Sequence, residues 1–166
     1  MLNFIIGIDN GVTGTIAILK SDGKSWFCKT PVIKTRDYTK EEQYLHRINV
    51  EALGYVILPE CMLSTEVLVI IERPMVNPRR FKPSCSALRA LEATLICLEK
   101  YDLKYIFIDS KEWQQHYFAS KITGSEELKK ASMKIGIELF PEHAELIKKH
   151  GDADSLLMAK YYQDKM

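Results

Sequence analysis

Two apolar segments of the sequence end on an acidic residue, and this repeated arrangement could form a metal site. The run from Phe4 to Ile8 surrounds Gly7 and leads into Asp9, and residues 66–71 lead in the same way into Glu72. Continuous apolar runs of this length are typical of core strands. A carboxylate at the end of such a strand is costly without a partner, and a metal ion is a common one. The alternative for the first acid is an ordinary turn in which its carboxylate caps its own backbone.

A third acidic cluster, residues 151–154, opens the last helical segment. Asp154 shares a helix face with Leu157 and Tyr161, since these positions follow it by three and seven residues. Asp154 therefore lies in the first turn on the side facing the core, where a lone acid is unfavourable. Asp152 has the alternative role of helix N-cap.

Acids delivered by two strands and a helix start can hold one or two Mg²⁺ or Mn²⁺ ions. Two such ions about 4 Å apart activate a water and stabilise the leaving oxygen of a phosphodiester. The sequence has no Gly-x-Ser-x-Gly elbow and no Walker A pattern, and no cysteine has an obvious histidine partner. The pattern therefore favours metal-assisted chemistry over covalent catalysis.

Basic residues are concentrated in the segment 73–89, directly after the second candidate acid. It contains five basic residues, no acid and three prolines. This composition is typical of a loop that contacts phosphates, and the alternative is a solvated loop. The basic segment 30–38 is a second candidate, which the sequence predicts to be a solvated loop or an arm.

The order of elements predicts an α/β fold with a mixed sheet and helices packed on it. Three strands form an antiparallel meander, and two further strands alternate with helices before a helical C-terminal part. The first helix is predicted to start at a capping box, Thr39–Glu42, to continue through Tyr44 and Ile48 to Val56, and to end at Pro59.

Later helices are predicted from similar signals. One runs from Ser84 to about Lys100 with a stripe of four leucines, at 88, 91, 95 and 98. Asp109 is the expected N-cap of the next helix. An amphipathic helix over 125–140 is stopped by Pro141, and a short helical segment over 142–149 follows.

The bulk composition limits the class of protein. The 166 residues are 46% apolar and 27% charged, which fits one globular domain, and the net charge of +1 indicates no global attraction to nucleic acid. We expect a cytoplasmic protein, because the N-terminus lacks a targeting pattern and no apolar run approaches the roughly 18 residues needed to span a membrane. The cysteines form no CxxC pair and are predicted to be small core residues in a reducing compartment: Cys28, Cys61, Cys85 and Cys97.

The ordered set of motifs resembles RuvC-type Holliday-junction resolvases, and it is most similar to the phage and organelle branches of that family. The motifs are Ile-Gly-Ile-Asp9 with its glycine-rich turn, Val-Ile-Ile-Glu72-Arg-Pro, and the segment 153–159. Residues 108–113, 129–133 and 139–141 fit the same pattern in the same order. The resemblance implies an RNase H-like nuclease domain over 1–166, a homodimer, and divalent-metal cleavage of two symmetric strands at a four-way DNA junction.

The resemblance also implies roles for individual residues. Asp9, Glu72 and Asp154 match the metal-binding acids of the family. Lys129 matches a basic residue near the scissile phosphate, and the alternatives are Lys130 or an exposed lysine without such a role.

One position departs from the family pattern, which has a further ligand three or four residues before the last acid. Those positions are Gly151 and His150 in this chain, and Asp152 lies only two residues before. His150 would share a face with Asp154 if the helix extended back, and a neutral imidazole can bind Mn²⁺ or Mg²⁺. Asp152 is the harder donor for Mg²⁺ but points elsewhere in a regular helix. Both remain candidates.

The helix from Ser84 to Lys100 is the candidate dimer interface because it is apolar on more than one face. Junction recognition would depend on shape and on phosphate contacts from Arg73, Arg79, Arg80, Lys82, Lys34 and Arg36. Two other functions remain open: a junction-binding module that does not cleave, and the nucleotide-binding hairpin of actin-like ATPases and sugar kinases. The second needs two lobes, for which the chain is short.

Overall fold

A five-stranded mixed sheet, with a separate two-stranded sheet, organises the chain in a computed structural model that describes residues 3–38, 40, 43–61, 66–118 and 122–166. A single 3-10 turn, Pro141–His143, precedes α5. The elements, in chain order, are β1 Phe4–Ile8, β2 Thr15–Lys20, β3 Ser25–Lys29, β4 Val32–Arg36, β5 Tyr44–Ile48, α1 Val50–Cys61, β6 Val67–Glu72, α2 Phe81–Lys100, β7 Tyr105–Ile108, α3 Ser110–Tyr117, α4 Ser125–Leu139, α5 Ala144–His150 and α6 Asp154–Lys165.

The fully buried strand β1 lies at the centre of the large sheet, whose order is β3-β2-β1-β6-β7. β1 to β3 are antiparallel neighbours, whereas β1, β6 and β7 are parallel. Ile8 is opposite Ile71. The residues that follow them, Asp9 and Glu72, therefore lie side by side at the carboxyl ends of the two strands. The predicted meander with added parallel strands is confirmed.

Helices cover both faces of the sheet. Alternate β1 residues contribute to two hydrophobic clusters, with Ile5 packing against the α3–α6 side and Ile6 against the α1–α2 side. Trp113 and Leu156 are fully buried on the first side, and Leu53 is fully buried on the second. This arrangement confirms the α/β class with helices on both faces.

The two-stranded sheet corrects the prediction for the segment between β3 and α1. β4 and β5 form an antiparallel hairpin in which Lys34 is opposite His46. The solvated loop predicted for 30–38 is therefore a strand over part of its length, and a helix through Tyr44 and Ile48 was wrong. The helix begins only at α1, where Asn49 accepts the backbone N–H of Ala52 at 3.1 Å as a capping side chain does.

Other boundaries also differ from the prediction. Residues 39, 41 and 42 of the supposed capping box lie outside the described residues. Helix α1 continues to Cys61, two residues past the predicted stop at Pro59. Helix α2 starts three residues before the predicted Ser84, and α4 ends at Leu139 as its Pro141 stop indicated.

The leucine stripe predicted for α2 is not its buried face. The fully buried side chains of α2 are mostly small, and among the four leucines only Leu98 belongs to them, whereas Leu88 is 44% exposed. Leu91 and Leu95 are partly buried against the cluster. Small residues dominate because α2 packs against both α1 and the sheet, where close approach favours short side chains.

The structure describes the side chains of three of the four cysteines. Cys28, Cys85 and Cys97 are free thiols, and Cys97 is buried, whereas the side chain of Cys61 lies outside the described part. None of the helices in the described residues is both long enough and apolar enough to cross a bilayer.

Candidate metal centre

Two strand ends bring the first pair of acids together. The carboxyl groups of Asp9 and Glu72 lie close enough for each to shift the pKa of the other. The backbone N–H of Asp9 donates to the Thr15 carbonyl at 3.0 Å, which fixes the end of β1, and the Trp113 indole N–H donates to Glu72 Oε1 at 3.4 Å. The carboxylate of Asp9 therefore faces other acids, as the metal-site interpretation requires.

A glycine in β1 allows the start of α6 to approach the sheet. A Cβ atom on Gly7 would lie 2.1 Å from the backbone carbonyl oxygen of Ser155, so only glycine fits there. The Ser155 hydroxyl also donates to Thr15 Oγ1 at 2.8 Å in a fully buried contact. This packing holds the first turn of α6, and with it Asp154, beside the end of β1.

Helix α4 supports the same segment from the other side. A Cβ atom on Gly136 would lie 2.2 Å from the Ala153 Cβ, so the two backbones are in close contact. The Ser132 hydroxyl donates to Asp154 Oδ1 at 2.5 Å and accepts the backbone N–H of Ala153 at 3.0 Å. Ser132 therefore orients Asp154 toward the other acids.

Three residues are close enough to share one metal ion: Asp9, His150 and Asp152. Each offers one ligand atom, and these atoms lie within 4.8 Å of one another. His150 Nε2 lies 3.4 Å from Asp152 Oδ1, yet that oxygen is buried and has no hydrogen-bond partner among the described residues. Adjacent ligands of an octahedral ion with bonds of about 2.1 Å lie about 3 Å apart. An orphaned buried oxygen facing a ring nitrogen at a similar distance fits a divalent cation between them.

The chain reaches this geometry by a turn, which corrects two predictions. Helix α5 ends at His150, and Gly151 follows with a φ of 102°, so the last helix does not extend back to His150. The N-cap of α6 is Ala153, so Asp152 is not the cap. The turn brings both His150 and Asp152 to the cluster, although they do not lie on one helix with Asp154.

Burial and mutual repulsion keep protons on the acids. Burial, followed by the charge of Glu72, raises the pKa of Asp9 to about 8. Burial and the charge of Asp154 raise the pKa of Glu72 to about 7, and burial and the charge of Asp152 raise the pKa of Asp154 to about 7. Burial lowers the pKa of His150, which favours the neutral imidazole that can ligate a metal.

The two candidate lysines have different surroundings. Lys129 Nζ lies 3.8 Å from Asp152 Oδ2 and its side chain is 62% exposed. Lys130 instead pairs with Glu127 at 2.9 Å on the outer face of α4. The structure thus places Lys129, and not Lys130, next to the acidic cluster.

The predicted phosphate-contacting residues divide into two exposed groups outside the cluster. Arg73 Nε pairs with Asp109 at 3.1 Å, and its guanidinium lies over the Phe107 ring at 5.6 Å. Arg79, Arg80 and Lys82 are exposed at the start of α2. Lys34 and Arg36 lie on the exposed hairpin, where the Lys34 ammonium lies over the Tyr44 ring at 5.0 Å.

Four residues that support the acids were not predicted from the sequence: Gly7, Trp113, Ser132 and Gly136. A glycine inside an otherwise apolar strand is a signal of close backbone approach, so Gly7 could have been recognised. The contact of Trp113 or Ser132 with a distant carboxylate leaves no local pattern, because 41 and 22 residues separate the partners.

Comparison with known proteins defines the fold. No family model matches the sequence, and no curated protein is significantly similar to it. The structure resembles Thermus thermophilus RuvC in complex with Holliday junction substrate, with a TM-score of 0.55, 14% identity, and coverage of 98% of this chain and 96% of that chain. A second Thermus thermophilus RuvC structure has a TM-score of 0.52 and 15% identity over the same shares of the two chains. The chain therefore has the RNase H-like fold of these RuvC structures, as the resemblance implied.

Proposed function

We propose that this protein is a metal-dependent endodeoxyribonuclease that resolves four-way or other branched DNA junctions by paired symmetric nicks. The observation that carries the proposal is the buried cluster at the end of the central strand. There Asp152 Oδ1 has no hydrogen-bond partner among the described residues, and the pKa values of three neighbouring carboxyl groups are raised. Such a cluster is unfavourable without a cation. The fold, which the chain shares with a RuvC that was solved with a junction, supports the substrate class.

The proximity of Asp9, His150 and Asp152 supports one assignment of the metal ligands. Asp9, His150 and Asp152 would hold one Mg²⁺ or Mn²⁺ ion, and Glu72 and Asp154 would share a second with Asp9. The bound ions would lower the pKa of a water and offset the charge that develops on the phosphate. Trp113 and Ser132 hold Glu72 and Asp154 in place, as hydrogen-bonded outer residues do in metal sites.

Lys129 is the proposed contact to the scissile phosphate. Its ammonium is close enough to Asp152 to be positioned by it and is mostly exposed, so it can reach an anion that enters the centre. Arg73, Arg79, Arg80 and Lys82 would contact phosphates on one side, and the hairpin residues Lys34 and Arg36 would extend the contact surface.

A homodimer through α2 would supply two centres for two cuts. Leu88 and Ile96, two turns apart on this helix, are 44% and 51% exposed. Exposed apolar side chains at this spacing form a stripe that a second copy of α2 can cover in a symmetric contact. The expected consequence is symmetric cleavage of both strands of a junction.

Cleavage of a synthetic four-way junction tests the proposal. With Mg²⁺ or Mn²⁺ we expect paired nicks at symmetric positions, resolved on a denaturing gel. Asp9→Asn or Glu72→Gln should reduce the single-turnover rate by about 10³-fold while junction binding is retained, because metal ions contribute several kcal/mol to such reactions and each 1.4 kcal/mol is tenfold. Asp109→Asn is the matched control, since Asp109 also follows a parallel strand but lies outside the cluster.

Two results would contradict the proposal in different ways. Equal cleavage of linear duplex, single strand and junction would exclude a resolvase and leave a general nuclease. Junction binding without cleavage in any divalent metal would identify a binding module instead.

A further inference from the structure

A cavity of about 420 Å³ opens directly beside the metal centre. Its walls come from the turn after β1, the end of β3 and the base of the β4–β5 hairpin. Lys129 and His150 line this cavity and also lie beside Asp152. The cavity and the candidate metal centre are therefore adjacent. A DNA strand that crosses the proposed metal centre can therefore continue into the cavity.

The charge of the cavity is opposite to that of the centre. Lys29, His46, Lys129 and His150 line it, and no aspartate or glutamate does. Lys29 is exposed at the end of β3 and forms no ion pair within the described part of the chain. In a protein with a net charge of +1, the ammonium groups of Lys29 and Lys129 in a lining without a carboxylate favour an anionic ligand.

A buried hydroxyl provides an independent sign of a ligand. Thr30 lines the cavity and is only 6% exposed, and its Oγ1 has no hydrogen-bond partner among the described residues. The Thr30 backbone N–H donates to the Gly14 carbonyl at 3.0 Å, so the residue is held in place while its hydroxyl remains available. A buried hydroxyl without a partner is unfavourable, and a phosphate oxygen would accept its hydrogen bond.

We propose that this cavity is a subsite for one nucleotide of the DNA strand, next to the phosphate that is cut. The Lys29 ammonium and the Thr30 hydroxyl hold the phosphate of that nucleotide. The volume is within the range of about 300–1,000 Å³ that organic ligands occupy, which exceeds what a lone anion needs. This inference rests on the proposed nuclease function and adds two positioning residues to it.

Binding of the dinucleotide pTpT to the full chain in EDTA tests the subsite without requiring metal or cleavage. We expect saturable amide chemical-shift changes at Thr13, Gly14 and Thr30. Lys29→Gln and Thr30→Val should each weaken binding about tenfold, because each removes one charged or charge-assisted contact. Lys24→Gln is the matched control, since Lys24 precedes β3 at the strand's opposite end. Equal shifts with inorganic phosphate alone, or none with pTpT, would overturn the inference.

Junctions with a single neutral methylphosphonate near the cut locate the contact. We expect one substituted position to weaken wild-type binding, and the Lys29→Gln variant to be insensitive at that same position, as a double-mutant cycle requires for a direct contact. The slope of log affinity against log salt should also fall by about one in this variant, which a structural role would not produce.

The two hypotheses fail separately. Wild-type cleavage of junctions with no coupled position would overturn the subsite and leave the nuclease. Dinucleotide binding that depends on Lys29 and Thr30, in a protein that cleaves nothing, would support the cavity as a nucleotide site and overturn the nuclease.

Discussion

Two adjacent parallel strands each lead to an acid: β6 ends on Glu72, and Asp109 follows β7. The Glu72 side chain lies in the acidic cluster, whereas the Asp109 side chain is exposed. Glu72 at the end of β6 accepts a hydrogen bond from Trp113, and burial and the charge of Asp154 raise its pKa to about 7. Asp109 follows β7 with a side chain that is 59% exposed and pairs with Arg73. The Asp109 backbone N–H donates to the Glu112 carboxylate at 3.1 Å, as in a capping box.

The difference shows that a strand-end acid does not define a site by itself. After β7 the chain turns directly into α3, so Asp109 serves the start of that helix. The ends of β1 and β6 are instead approached by the start of α6, which brings further acids. What approaches the strand end decides whether its acid stabilises a helix or joins a cluster.

The largest expected effect is a pH dependence of stability that only the cluster produces. In the metal-free protein, the folded state holds protons on Asp9, Glu72 and Asp154 up to pH about 7–8, whereas the unfolded chain loses them near the ordinary pKa values of 3.8 to 4.5. Folding therefore binds protons in this window, and the free energy of unfolding should fall by several kcal/mol from pH 5 to pH 8, at about 1.4 kcal/mol per group and pH unit.

Urea denaturation in EDTA across this pH range measures the effect. Asp9→Asn should flatten the dependence, Mg²⁺ should restore stability at pH 8, and Asp109→Asn should keep the wild-type slope. Equal stability of the metal-free wild type at pH 5 and pH 8 would show that the acids do not repel one another in the folded state.

A smaller effect separates the two ligands that the sequence left open. Asp152→Asn should weaken binding of both Mg²⁺ and Mn²⁺ by about 10–100-fold, because a carboxylate is lost from the centre. His150→Ala should weaken Mn²⁺ binding more than Mg²⁺ binding, since imidazole suits the softer ion. Isothermal titration calorimetry measures both, and Asp109→Asn should bind like wild type. Wild-type affinity in the Asp152 variant would remove it from the ligand set.

The smallest expected effect is on stability, and it has opposite signs for substitutions of Asp109 and Glu72. Asp109→Ala removes a helix cap and should lower the free energy of unfolding by about 1 kcal/mol. Glu72→Gln should raise stability at pH 8 without metal, because it removes a buried charge from a repulsive cluster. Thermal unfolding of the two variants side by side measures this, and destabilisation by both would mean that the acids play the same structural role.

Much of the fold was predictable because the central strands are continuous apolar runs with clear ends. The register that aligns Ile8 with Ile71 follows from two such strands being parallel neighbours. The hairpin was missed because Tyr44–Ile48 mixes polar and apolar residues, and its pairing with Val32–Arg36 depends on cross-strand contacts instead of local periodicity.

The acids of the candidate site could be proposed from the sequence, but the turn and the contacts that bring them together could not. Asp9, Glu72 and Asp154 could be proposed because each occupies an element end with an unfavourable surrounding. The turn at Gly151 that brings His150 and Asp152 to Asp9 depends on α5 packing, which no local pattern encodes. Ser132 was likewise hidden, since a serine inside a helix is unremarkable until its partner is known.

The close approach of Gly7 to Ser155 has a consequence for the timing of synthesis. The ribosome synthesises β1 to β3, α1 and α2 before α6, and a single domain folds as a unit, so β1 waits for its α6 partner. The proposed metal centre would combine Asp9 with Asp152 and Asp154, which lie more than 140 residues later in the sequence. A truncated chain that ends before α6 therefore keeps four of the five proposed ligands but lacks Asp154 and the helix start that packs on Gly7.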